Sequence, residues 1–138
     1  MIAPQRNEAW HKVMEAVTLD GEKFSSAFKI AHAVKGDSPR PGSIGCEVRV
    51  EITGGGTDDT DLRVYACPDA DAALRSTLPE DERLLRTGAN DPLRSSFWVD
   101  WQTVVSGAQI SLRPTGVTAN MVATIWIRRF WMGNPART

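Results

Sequence analysis

His11, His32, Cys46 and Cys67 are the only imidazoles and thiols in the chain, so imidazole or thiol chemistry would have to begin with them. Two histidines and two cysteines are too few for a His-dominated metal site or a Cys-rich zinc site. At most one histidine offers itself as a general base. No Gly-x-Ser-x-Gly elbow, His-Glu-x-x-His helix or Cys-x-x-Cys pair accompanies them. His32 falls on a mostly apolar stripe, where a packed or interfacial histidine is commoner than a catalyst. The Gly54-Gly55-Gly56 run continues as Thr57-Asp58-Asp59-Thr60 and lacks the Lys and Ser/Thr that cradle phosphate, so it reads as a loop tip. Asp58, Asp59 and Asp61 lack EF-hand spacing and read as a solvated turn. Glu80 and Glu82 sit in a run of charge, which is ordinarily a solvated face. No catalytic residue, metal or cofactor is expected. The chain reads as one that binds or builds.

Five tryptophans are many for 138 residues, and Trp98, Trp101, Trp126 and Trp131 fall in the C-terminal half. In one reading Trp98 and Trp126 form an exposed platform that stacks on sugar rings. In the other they fill core and interface, each burying a large area with a polar edge. The formal net charge of -1 provides no field to steer nucleic acid or an anionic membrane, and neither is expected as a partner. The first twenty residues contain no continuous apolar stretch of the secretory kind, and the apolar run near Met121 to Ile127 is far shorter than the roughly 20 residues that span a bilayer.

The elements that must position these groups are strands. Cys46, Val48, Val50 and Ile52 alternate with Glu47, Arg49, Glu51 and Thr53, the pattern of a half-buried strand. Leu62, Val64 and Ala66 alternate in the same way, and the two segments are expected to pair as a hairpin. Ile52 would then face Leu62 and Cys46 would face Pro68, with Cys67 on the other side, so two free thiols are expected. Further strands are expected at Val13–Leu19, around Phe97–Gln102 and at Gln109–Arg113, where the last follows a Ser106-Gly107 turn. The segment from Thr118 to Met132 is expected as the longest strand, covered on both faces. Phe28, Ile30, His32 and Val34 fit a strand, while Phe24, Ala27, Phe28, Ala31 and Val34 fit a helix. The 37–45 segment reads as a connection. Asp69 to Arg86 reads as a loop carrying one short helix capped by Asp69. The sum is an all-β, antiparallel sandwich or jelly roll of about eight strands with one short helical insertion, one domain over 13–138 behind an arm at 1–12.

The strands around Ser26-Ala27-Phe28-Lys29-Ile30, Cys46-Glu47-Val48-Arg49-Val50-Glu51-Ile52 and Leu62-Arg63-Val64-Tyr65 carry a resemblance to a known family. With the helical insertion and the final Val122-Ala123-Thr124-Ile125-Trp126-Ile127, this order resembles the jelly-roll cement or decoration proteins that clamp tailed-phage heads, particularly those of Bordetella-type podophages. The resemblance implies a virion protein on the capsid exterior, assembled in the host cytoplasm. It also implies self-association, as a dimer or other homo-oligomer, and attachment across subunits of the major capsid protein. The residues expected to make that attachment are Trp10, Arg128, Arg129 and Trp131. The alternative class is a carbohydrate-binding or receptor-binding module that uses Trp98 and Trp126.

Overall fold

Among the described residues ten segments are extended, and their pairing sets where the candidate residues among them go. The computed structural model describes residues 5–30, 43–54, 59–85, 93–100, 107–115 and 121–132. The strands are β1 (Gln5–Asn7), β2 (His11–Thr18), β3 (Lys23–Phe24), β4 (Phe28–Lys29), β5 (Ser43–Gly54), β6 (Thr60–Ala66), β7 (Asp81–Leu85), β8 (Leu93–Asp100), β9 (Gly107–Pro114) and β10 (Met121–Met132). Sheet I runs β1-β10-β5-β8, with β2 also on β10. Sheet II runs β3-β9-β6-β7, with β4 also on β9. Every ladder is antiparallel. The molecule is the expected all-β antiparallel sandwich, and its strand order is that of a jelly roll.

The order follows from nested pairing. β6 pairs with β7, β5 with β8, β3 and β4 with β9, and β2 with β10. Ile52 faces Leu93 in sheet I and Thr60 faces Leu85 in sheet II, so each step forward on one arm is matched by an equal step back on the other. One long double ribbon therefore folds over an apolar layer. Cys46, Val48, Val50, Ile52, Ala123, Ile125 and Ile127 from sheet I meet Leu62, Val64, Ile110 and Leu112 from sheet II, all essentially excluded from water. Each such aliphatic side chain contributes roughly 1.5–3 kcal/mol by burial.

Nesting corrects several sequence expectations. The 46–53 and 62–67 segments are not a hairpin, because β5 and β6 belong to different sheets and face each other across the core. Strands β8 and β9 likewise belong to different sheets, and the 97–100 portion of the expected Phe97–Gln102 strand lies within the described part of the chain. The expected insertion at Asp69–Arg86 carries no α-helix. It has two single 3-10 turns, Pro68–Ala70 and Ala72–Leu74, and then strand β7. Asp71, rather than Asp69, caps: its Oδ1 accepts from the Ala73 N–H at 2.9 Å. Asp69 itself sits at φ 55.

β10 is central, as expected of its composition, and equals β5 in length. It is not covered on both faces: Met121, Ala123, Ile125 and Ile127 are buried, while Val122, Thr124, Trp126 and Arg128 are half-exposed. The strand at Val13–Leu19 holds a bulge. Met14 faces Ile125 and Val17 faces Ala123, so Glu15 and Ala16 share the place of one residue, with Ala16 at φ 46. The bulge changes the phase of burial from Met14 to Val17 and Leu19, which strict alternation could not anticipate. Gln5–Asn7, expected in an arm, pairs with Phe130–Met132. Phe28 lies in β4 and is buried, Ile30 is buried at the bend just beyond it, and His32 and Val34, like most of 37–45, lie outside the described residues. Among the described residues no helix is long and apolar enough to cross a membrane.

Two local features yield tests. Gly107 lies under the first 3-10 turn, where an added Cβ would stand 2.7 Å from the Cys67 carbonyl oxygen and 2.8 Å from the Ala70 nitrogen. Both are backbone atoms that cannot swing away. Gly107→Ala is expected to cost about 2 kcal/mol or more in urea unfolding. The Thr60 hydroxyl is buried on the core side with no hydrogen-bond partner among the described residues. Thr60→Val keeps the shape and removes the stranded hydroxyl, so it is expected to raise stability by about 1 kcal/mol in the same assay.

Candidate functional site

Because side chains alternate across a strand, β10 sorts the candidate residues into two groups. Trp126, Arg128 and Phe130 project from the outer side of sheet I. Arg129 and Trp131 lie on the opposite side, in line with Ile127. The attachment residues expected from sequence therefore do not form one surface.

On the outer side, antiparallel register sets Arg128 opposite Glu47 and Trp126 opposite Arg49 on β5, and Glu47 in turn opposite Trp98 on β8. Arg128 pairs with Glu47 at 3.0 Å. Its guanidinium lies 4.5 Å from the ring centre of Trp10 and 5.2 Å from that of Phe130. Phe130 meets Trp98 edge-on, with centroids 5.3 Å apart. Trp98 reaches that contact by lying over Gly45, where a Cβ would come within 2.8 Å of its ring. Arg49 sits 5.6 Å from the ring centre of Trp126. Trp10, Trp98 and Trp126 are each half-buried, so they pave the surface rather than stand out from it. Sequence reasoning named Trp10, Trp98, Trp126 and Arg128 but missed Phe130, Glu47 and Arg49. The parity of β10 and the facing alternation of β5 were the available signal.

On the inner side, Arg129 secures the rim of the sandwich. Its Nη1 donates to Glu8 Oε1 at 2.7 Å, its Nε to the Lys29 carbonyl at 2.7 Å, and its backbone N–H to the same Glu8 oxygen at 3.0 Å. His11 Nε2 stands 3.3 Å from the other Glu8 oxygen. Trp131 is buried. These two residues join the N-terminal strand to the body.

The remaining candidates are dispersed. Asp61 pairs with Arg63 at 3.0 Å, and Arg63 also meets Glu82 at 3.3 Å. A cleft of about 280 Å³ on the outer side of sheet II is lined by Asp61, Arg63, Arg113, Pro114 and Thr115. Asp58 and Trp101 lie outside the described residues. Among the described residues no group of three or more His, Cys, Asp or Glu is placed to hold a metal ion. Both cysteines are free and buried, for a reason other than the expected hairpin: they belong to opposite layers of the ribbon.

No protein-family model matches the chain. No curated protein matches it either. Among solved structures it is similar to Arthrobacter globiformis T6 isomalto-dextranase complexed with panose, at 12% identity and a TM-score of 0.36. The match covers 87% of this chain and 22% of that one, so the chain spans about a fifth of that enzyme's length.

Burial pushes the Cys46 thiol up to about 12, a rise that nearby Arg129 offsets only in part, and burial raises Cys67 too. The folded state therefore holds these protons more tightly than the unfolded chain, whose thiols titrate near 9.0. Their contribution to stability is complete below pH 9 and is lost as pH climbs from there toward 12. Wild type is expected to lose on the order of a few kcal/mol across that window in chemical unfolding, and Cys46→Ala to lose markedly less. A thiol reagent at pH 8 should modify neither cysteine in the folded protein and both after unfolding.

Proposed function

We propose that this chain is a structural attachment protein that docks on a protein shell through the outer side of sheet I. The shell is a phage capsid, the partner is its major capsid protein, and the location is the exterior of the virion. What supports the docking surface is the stack of Arg128 between Trp10 and Phe130, neutralised by Glu47 and bordered by Trp98. Arg and Trp are the side chains most enriched where protein interfaces concentrate their energy. A pavement already held together by its own contacts loses little freedom on binding, which lowers the entropic cost of association. The partner's identity comes from the resemblance of the strand pattern to head cement proteins. A protein that binds only assembled shell stabilises it by mass action. Self-association through a self-complementary surface would let one unit bridge neighbouring capsid subunits.

One observation favours a second reading. Trp98 and Trp126, the proposed sugar platform, do share the outer side of sheet I. In that reading a glycan would quench tryptophan fluorescence saturably, with the protein monomeric.

Trp10→Ala and Arg128→Ala alter the pavement while leaving the Glu8–Arg129 link intact, unlike deletion of the first ten residues. Each is expected to weaken attachment to heads stripped of the protein by about tenfold or more in a sedimentation assay, with melting temperature little changed. Unchanged attachment by both folded variants would overturn the reading.

A further inference from the structure

Alternate rungs of β5 and β10, successive on the outer side, carry two arginine–aromatic units. In the first, Arg128 lies over Trp10 and Phe130 and is neutralised by Glu47 across the ladder. In the second, Arg49 lies over Trp126, and the residue facing it across the ladder is that tryptophan rather than a carboxylate. Beyond Trp126 on the same rung stands Lys12, whose ammonium is held by Glu15 at 2.9 Å. Among the described residues Arg49 has no carboxylate within ion-pair distance. Among the described residues the outer side of sheet I thus presents a cation, Arg49, without a counter-ion at ion-pair distance and beside an aromatic ring.

The chemistry of that unit is selective. The guanidinium sits 5.6 Å from the Trp126 ring centre and keeps N–H donors that can meet a planar two-oxygen acceptor. Water is partly excluded by the ring, which strengthens a charge contact there relative to open solvent. One uncompensated cation in a chain of net charge -1 suits a single carboxylate rather than a polyanion. We infer that Arg49 receives an Asp or Glu side chain of the protein partner, with Trp126 taking the apolar neighbour of that acidic residue. The inference rests on the reading of this face as a protein-docking surface.

The test uses the whole chain and a defined probe: a short capped peptide with one Glu between two prolines, and its Gln twin. The readout is the indole N–H signal of Trp126, assigned with Trp126→Phe. The Glu peptide should shift that signal saturably and the Gln peptide far less. Arg49→Gln should weaken binding about fivefold, and Arg49→Lys should restore part of it, since charge remains while the planar fork is lost. The same Arg49→Gln protein should attach to heads about fivefold more weakly, with a shallower salt dependence. Equal shifts by the two peptides would overturn the inference, as would wild-type binding by Arg49→Gln or a Trp126 shift induced only by a uronic-acid oligosaccharide. If Arg49→Gln attaches to heads normally while Trp10→Ala does not, this inference fails and the docking reading stands. If wild type does not attach to heads at all, the docking reading itself fails.

Discussion

Neighbouring residues of a strand cannot occupy the same side of a sheet, and everything proposed for this molecule depends on that rule at β10. It sends Arg128 outward to Trp10 and Phe130, and Arg129 inward to Glu8. Two adjacent guanidiniums thereby acquire different tasks. The outer one helps to shape a surface, and the inner one holds the first strand to the body. A slip of one residue in the register of β10 would exchange them and would also turn Ile125 and Ile127 toward water, so core burial fixes the surface chemistry as firmly as it fixes the fold.

The Glu8–Arg129 pair shows how such a rim is kept ordered. Both side chains are mostly withdrawn from solvent, and Glu8 receives the guanidinium and a backbone N–H together, while the Arg129 carbonyl accepts from the Glu8 N–H at 3.1 Å. Withdrawn charges are tolerated because their hydrogen-bonding capacity is met. Trp10, two residues further on, is brought into line with Arg128 as a result. The docking surface is therefore assembled partly by a link on the opposite side of the sheet.

Much of the fold was legible because alternation is a local signal. Val48, Val50 and Ile52 announced their strand and its buried side, whereas Ala123, Ile125 and Ile127 announced a strand whose half-exposed side was concealed by Val122 and Trp126. What stayed hidden was which strand lies beside which. Hairpin reasoning joins sequence neighbours, whereas a jelly roll sends consecutive strands to opposite layers, so β5 and β6 face each other through side chains instead of hydrogen bonds. Strand β7 escaped because Asp81-Glu82-Arg83 resembles a solvated run, yet its register sets Glu82 against Arg63 at the sheet edge. At the candidate site the residue types were recognisable and their grouping was not. Grouping needed the phase of β10 and the register of β5 against it, and the bulge at Ala16 shows how one inserted residue can reset a phase.

The position of β10 in the chain has a consequence for how the molecule comes into being. Of the described strands of sheet I, β10 is the last to leave the ribosome, so β1, β2 and β5 must wait for the partner that joins them. The inner ribbon, β5 to β8, can close on itself early, each pairing shortening the loop of the next. Until β10 arrives, however, one side of the apolar layer stays open. Folding to completion thus waits for β10, and chains cut short before Met121 are left as half-sandwiches with exposed edges, natural clients for chaperones or proteases.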